Sequence, residues 1–358
     1  MRLKSIQVGF HGWRRGVITG MISSVFAIGL GGCVTNEATG RSIFAMMSPQ
    51  EEIALGAEAA GQFTQEYGGA VQNTALNQYV TDLGQQLASK TEGNYPSYPW
   101  EFTLLNSDVV NAFALPGGKV FVSKGLAQRL TNEAQLAGVM GHEIGHVTAQ
   151  HGNQRISSQT AFNIGLSVAA VVVSQSDNKQ VQNVGTLGIP ALQIGGNLVM
   201  LKYGRDEELE ADRLGVRYMT RCGYNPIGQM QVMQILQSLS ANSERQPEFL
   251  STHPDPAARV AQIQKMLAGE YAYTQNNPEY RLEEQRFRSQ FLATLAKMEG
   301  RGWTEGVVNA GVVGSEDPTA VLGPPSMWCA HCAAEARDAK KASPTAHPAV
   351  ERTRMKGW

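Results

Sequence analysis

A helix-rich α+β fold is predicted by three features of the chain. It has a succession of capped, apolar-periodic stretches of helical length, a few short β-prone runs gathered about a Pro-Gly-Gly turn, and a His-Glu-x-x-His pentapeptide inside one of the helical stretches. With 358 residues, 42% hydrophobic and 17% charged, the chain can bury a sizeable core, and wholesale disorder is excluded. Thirty Lys+Arg against 31 Asp+Glu give a formal charge of −1 with no concentrated basic face, so nucleic acid is not an expected partner. The 38 glycines follow no short period, which excludes collagen-like and low-complexity architectures.

At the start of the chain, Arg2, Lys4, Arg14 and Arg15 precede a charge-free run from Gly16 to Leu30 that ends in Leu30-Gly31-Gly32-Cys33. A positive n-region, an apolar h-region too short to span a bilayer permanently, and small residues before a cysteine read as a bacterial lipoprotein signal. The expectation is a signal peptide at 1–32, a lipid on Cys33, and a linker over 33–47. Val34 after the cysteine favours the outer membrane, by analogy with lipoprotein sorting.

Ser48-Pro49-Gln50-Glu51 opens the first helix: Ser caps it, Pro suits the first turn, and Glu51 completes a capping box. A second helix is expected from about Thr74 to Ser89. Trp100–Leu105 and Lys119–Ser123 read as strands, with Val109–Leu115 between them ending at the turn Pro116-Gly117-Gly118. Asn132 starts the next helix, expected to run through Gln150 and stop at Gly152. Further helices are expected over about Asp206–Tyr218, after Asn225-Pro226, and over Asp255–Leu267. Between Ile156 and Leu201 the chain is nearly free of charge but holds Asn, Gln, Ser, Pro190 and several glycines. A hydrophobic insertion over the site, 156–201, fits that composition better than a membrane hairpin. The main folded domain is placed at 48–267, a helical extension at 268–300 and a flexible tail, with the lone Cys329-x-x-Cys332 pair, at 301–358.

The chemistry is concentrated in His142-Glu143-Ile144-Gly145-His146. On a helix, residues four apart share a face, so both imidazoles can reach one metal ion while Glu143 acts as base toward a water at the metal's open position. A carboxylate or another His usually completes such a site. Sixty-two residues beyond His146, Glu208 and Asp212 lie four apart on a second expected helix. Glu208 can ligate and Asp212 can accept the other ring N–H of His142. Asp206, Glu207 and Glu210 read as a solvated acidic face, and His151 and Arg155 as packing and capping residues.

Together with Asn111-Ala112-Phe113-Ala114-Leu115-Pro116-Gly117-Gly118, Ala211-Asp212-Arg213-Leu214-Gly215 and Ser251-Thr252-His253-Pro254-Asp255-Pro256, these motifs resemble the gluzincin metallopeptidases of the CAAX-prenyl-protease and HtpX-like family, in its soluble bacterial lipoprotein and periplasmic branch. The resemblance covers about Ser48 to Leu267. It implies a zincin-like domain with a small sheet and an active-site helix, one Zn2+ per chain on His142, His146 and Glu208, and Glu143 as catalytic base. It also implies that Asn111, Ala112, Phe113 and Ala114 belong to an edge strand that pairs with extended substrate, although Phe113 itself reads as core. His253 keeps three readings: oxyanion stabiliser, removable fourth zinc ligand, or structural turn residue.

The expected function is a zinc metalloendopeptidase lipid-anchored at the periplasmic face of the outer membrane, with unfolded or misassembled envelope proteins as substrates and assembly machinery as a candidate partner. Two alternatives are a chaperone-like assembly factor on the same fold and an integral membrane peptidase.

Overall fold

The computed structural model describes residues 33–174, 202–241 and 246–300, with side chains described up to 164 in the first segment. The expected signal peptide, most of the insertion, and the tail with Cys329 and Cys332 lie outside these residues. Of the described cysteines, Cys33 is exposed and Cys222 buried, both free thiols.

Segment 33–47, expected to be a linker, carries an antiparallel pair, β1 (Cys33–Thr35) and β2 (Ser42–Phe44), with Cys33 opposite Phe44. It is tied to the helices behind it: Asn36 Nδ2 donates to Thr148 O at 2.8 Å, Met46 N to Ser157 Oγ at 2.8 Å, and Met47 N to Asn153 Oδ1 at 3.2 Å. Helix α1 (Pro49–Glu66) begins with the expected reciprocal capping, Glu51 N to Ser48 Oγ and Ser48 N to Glu51 Oε2. Asn73 caps α2 (Thr74–Ala88), whose buried Leu76, Val80, Leu83 and Leu87 follow the helical period.

A three-stranded sheet follows, β3 (Glu101–Leu105), β4 (Ala112–Leu115) and β5 (Lys119–Ser123), in the order β3-β5-β4. β3 and β5 are parallel; β4 and β5 form a hairpin through Gly117 and Gly118 at φ 76° and 92°, conformations that glycine supplies without strain. β4 is therefore an edge strand. Its Phe113 is buried against Phe63, Tyr67 and Phe121, as core.

After the short α3 (Lys124–Ala127), α4 (Glu133–Thr148) is capped by Asn132 and buried along its whole length, the central element of the fold. It ends earlier than the sequence suggested. Gln150, not a glycine, adopts φ 57°, and His151-Gly152 already begin α5 (His151–Ser174). The remaining helices are α6 (Arg205–Arg221), α7 (Ile227–Ala241), α8 (Glu248–Thr252) and α9 (Pro256–Ala268), the last capped by Asp255. A final stretch passes from α10 (Glu284–Arg286) through a π-helical turn (Phe287–Leu292) into α11 (Ala293–Met298). The architecture is helix-rich α+β. No helix among the described residues is long and apolar enough to cross a membrane.

The α4–α6 contact positions the site. A Cβ on Gly145 would lie 2.8 Å from Ala211 O, and one on Gly215 2.9 Å from His142 N. Only glycines allow the two backbones to approach this closely, which is why one sits inside each motif.

Candidate metal centre

Helix periodicity puts His142 and His146 on one face of α4, and the close approach of α6 brings Glu208 opposite them. The turn after α8 contributes His253 as that helix's C-terminal cap. One donor atom from each of His142, His146, Glu208 and His253 lies within 4.8 Å of all the others, and all four residues are buried. His142 Nε2 is 3.0 Å from His146 Nε2, 3.4 Å from His253 Nδ1 and 3.5 Å from Glu208 Oε2. Glu208 Oε1 is 3.4 Å from His146 Nε2 and 3.0 Å from His253 Nδ1. A tetrahedron with bonds of about 2.0–2.1 Å has edges of about 3.3–3.4 Å. The donor set, three imidazoles and a carboxylate facing His142 through Oε2 and His146 and His253 through Oε1, has spacings of the size one zinc ion requires.

Burial holds His146 far below the usual imidazole range, as the neutral form a ligand requires. Burial would raise the Glu208 carboxyl, but the charges of His253 and Arg259 and the hydrogen bonds from His146 and His253 outweigh it, and Glu208 stays ionised. His253 is likewise opposed by burial yet raised by Glu208 and Glu143. Glu143 is fully buried, neither of its carboxylate oxygens has a hydrogen-bond partner, and burial raises its pKa. Its Oε1 lies 3.7 Å from His253 Nε2. A carboxylate poised beside the donor cluster and engaged by nothing else suits a general base.

Asp212 lies where its spacing suggested. Its Oδ1 is 3.0 Å from His142 Nδ1 and accepts from Gln229 Nε2 at 2.8 Å. Spacing gave no hint of Arg259, which is fully buried on α9. Its Nε and Nη2 each donate to Asp212 at 2.7 Å, and Nη1 pairs with Glu208 at 2.8 Å. Despite its burial, Asp212 is held at about 2 by Arg259 and by the hydrogen bond from His142.

Of the acidic face of α6, Asp206 is exposed as expected, but Glu207 and Glu210 are engaged by partners from other elements. Glu210 is buried and pairs with His151 and Arg41, and Glu207 takes a two-point ion pair from Arg155. Arg155 also sits 4.5 Å over the ring of Tyr203, which stacks on His146 at a centroid distance of 3.8 Å. Beside the cluster a cavity opens between Ala114, Leu115 and Pro116 of the β4 edge and His146 and Tyr203, with Glu52 also lining it. The same edge therefore borders both solvent-accessible space and a metal-facing histidine.

Residues 74–267 match the family description of peptidase family M48. The chain belongs to that family. Among its M48 relatives, the beta-barrel assembly-enhancing protease of Escherichia coli K12 is 33% identical over 196 residues, 53% of this chain and 39% of the relative. That of Yersinia pestis is 30% identical over 228 residues, 62% of this chain and 45% of the relative. The mitochondrial metalloendopeptidase OMA1 of Schizosaccharomyces pombe is 29% identical over 168 residues, 47% of each chain. This chain spans about two fifths to one half of the length of these relatives. The M48 match takes in every residue of the candidate centre, from His142 to Arg259.

Proposed function

We propose that this M48 chain is a zinc-dependent metalloendopeptidase of the bacterial cell envelope that hydrolyses peptide bonds of misfolded or misassembled envelope proteins. The observation that carries the proposal is the convergence of four buried donor atoms, all within 4.8 Å of one another, beside the Glu143 carboxylate, which has no hydrogen-bond partner. The relatives named for β-barrel assembly support the envelope assignment, and the Leu30–Cys33 motif supports a lipid anchor on Cys33 at the periplasmic face of the outer membrane.

His142, His146 and Glu208 would hold the ion. Zinc bound there supplies Lewis-acid polarisation of the scissile carbonyl and of the attacking water. Glu143 removes the water's proton and passes it to the leaving amine. Asp212 fixes the tautomer of His142, and Arg259 fixes both carboxylates. Residues 111–114 receive an extended peptide by backbone pairing along the open edge of β4, which reads no side chains and so tolerates many sequences.

The test is elemental analysis of the purified mature protein beside a casein-cleavage assay. One zinc per chain is expected, with cleavage lost to a chelator and restored by stoichiometric zinc. Chelator-resistant cleavage, or protein that takes up no zinc, refutes the assignment.

His253 Nδ1 lies 3.0 Å from Glu208 Oε1 and 3.4 Å from His142 Nε2, which supports the removable-ligand reading over oxyanion stabilisation: as a fourth ligand it would have to leave before water and substrate could enter. His253→Ala is expected to keep zinc and to raise casein cleavage several-fold. A fall in kcat of about 10²–10³-fold would instead make it an oxyanion donor. A fourth ligand in that place is also what favours the second reading, an envelope assembly factor that binds its clients and seldom cuts them.

A further inference from the structure

His146 has a second ring nitrogen, and it meets a residue whose sequence position suggested only packing. His146 Nδ1 is 2.8 Å from His151 Nδ1, and His151 Nε2 is 3.2 Å from Glu210 Oε2. Arg41 Nη1 donates to that same oxygen at 2.7 Å. His151 is 1% exposed and Glu210 4%, so the His146–His151–Glu210 contacts are buried, while Arg41 reaches Glu210 from the exposed side.

The hydrogens can be placed in one way. A metal ligand at Nε2 leaves His146 with its hydrogen on Nδ1. Two nitrogens 2.8 Å apart have room for a single hydrogen between them, so His151 Nδ1 is the acceptor. The hydrogen of His151 then sits on Nε2 and points at Glu210 Oε2, which also accepts from Arg41. The left-handed Gln150 makes this possible. On an unbroken helix, five residues of about 100° each would carry His151 about 140° around from His146. The reversal at Gln150 folds it back instead.

We propose that His151 is a positioning residue of the metal centre: it fixes the tautomer and ring plane of His146, and is itself held by Glu210 and by Arg41 of the N-terminal β-hairpin segment. This rests on His146 being a zinc ligand. His151 does for His146 what Asp212 does for His142, but with a neutral acceptor. The carboxylate is set one residue further out, where Arg41 reaches it.

The experiment measures zinc affinity by chelator competition on the full chain for wild type, His151→Leu, His151→Gln and Arg41→Ala. Loss of the outer hydrogen-bond partner is expected to weaken zinc binding about 10–100-fold in His151→Leu. His151→Gln should recover most of that, because an amide can both accept from His146 and donate to Glu210. Arg41→Ala, which leaves His151 in place, should show a smaller loss. A pure packing role predicts the opposite order, with the apolar Leu tolerated at least as well as Gln. Zinc bound by His151→Leu at wild-type affinity overturns this proposal alone, whereas a wild type that binds no zinc overturns the metal assignment and this proposal with it. Should His151→Leu fail to fold, histidine-selective 15N NMR of the zinc-loaded wild type decides the matter. A bare Nδ1 on His151 supports the assignment, and a protonated one overturns it.

Discussion

Glu143→Gln is expected to leave a folded protein that binds one zinc per chain and cuts casein at no measurable rate. The substitution keeps volume, replaces one carboxylate oxygen by an NH2 group, and removes the carboxylate that, among the described residues at the cluster, neither pairs with Arg259 nor supplies a donor atom to it. Glu143 has no protein hydrogen-bond partner to lose, so folding should not suffer. Neutralising a carboxylate that burial already destabilises should, if anything, favour the fold. Comparison of zinc content, thermal unfolding and cleavage rate checks all three statements. Substantial cleavage by the variant would remove Glu143 as the base. Complementation of a deletion strain by Glu143→Gln as well as by wild type would favour the assembly-factor reading.

The second large effect is on stability. Arg259 lies between the buried carboxylates of Asp212 and Glu208 and pairs with both. Arg259→Leu leaves two buried negative charges without it, and breaking a buried ion pair from one side costs about 3–5 kcal/mol. Chemical denaturation should show a loss of that size in the metal-free protein. Zinc, bringing positive charge to Glu208, should recover part of it. A variant unfolding within about 0.5 kcal/mol of wild type, with and without zinc, would show that Arg259 does not carry this role.

How far the sequence revealed these features depended on their range. The capping boxes, the Pro-Gly-Gly hairpin and the pairing of His142 with His146 are encoded within a few residues, and they stand in the structure where spacing put them. Glu208, Asp212 and His253 came from motifs; the cluster holds Glu208 and His253, and Asp212 stands behind His142. Arg259 carries no local signal, because its meaning lies in Asp212, 47 residues away. Glu210 and His151 misled for a related reason: a charged helix position looks solvated until its partner from another element is known, and here the partner comes from Arg41, 169 residues before Glu210. The end of α4 was misplaced because Gly152 is the expected stop, whereas the turn is made by Gln150, whose side chain is held by Glu52.

The hairpin over residues 33–44 sets a distance. Cys33 is already paired with Phe44, and three residues later Asn36 is bonded to the last turn of α4. A diacylglyceryl group on Cys33 would give the enzyme almost no leash. If Cys33 carries the lipid proposed for it, so short a tether would hold the metal centre within the domain's own dimensions of the bilayer and favour clients that approach the membrane surface.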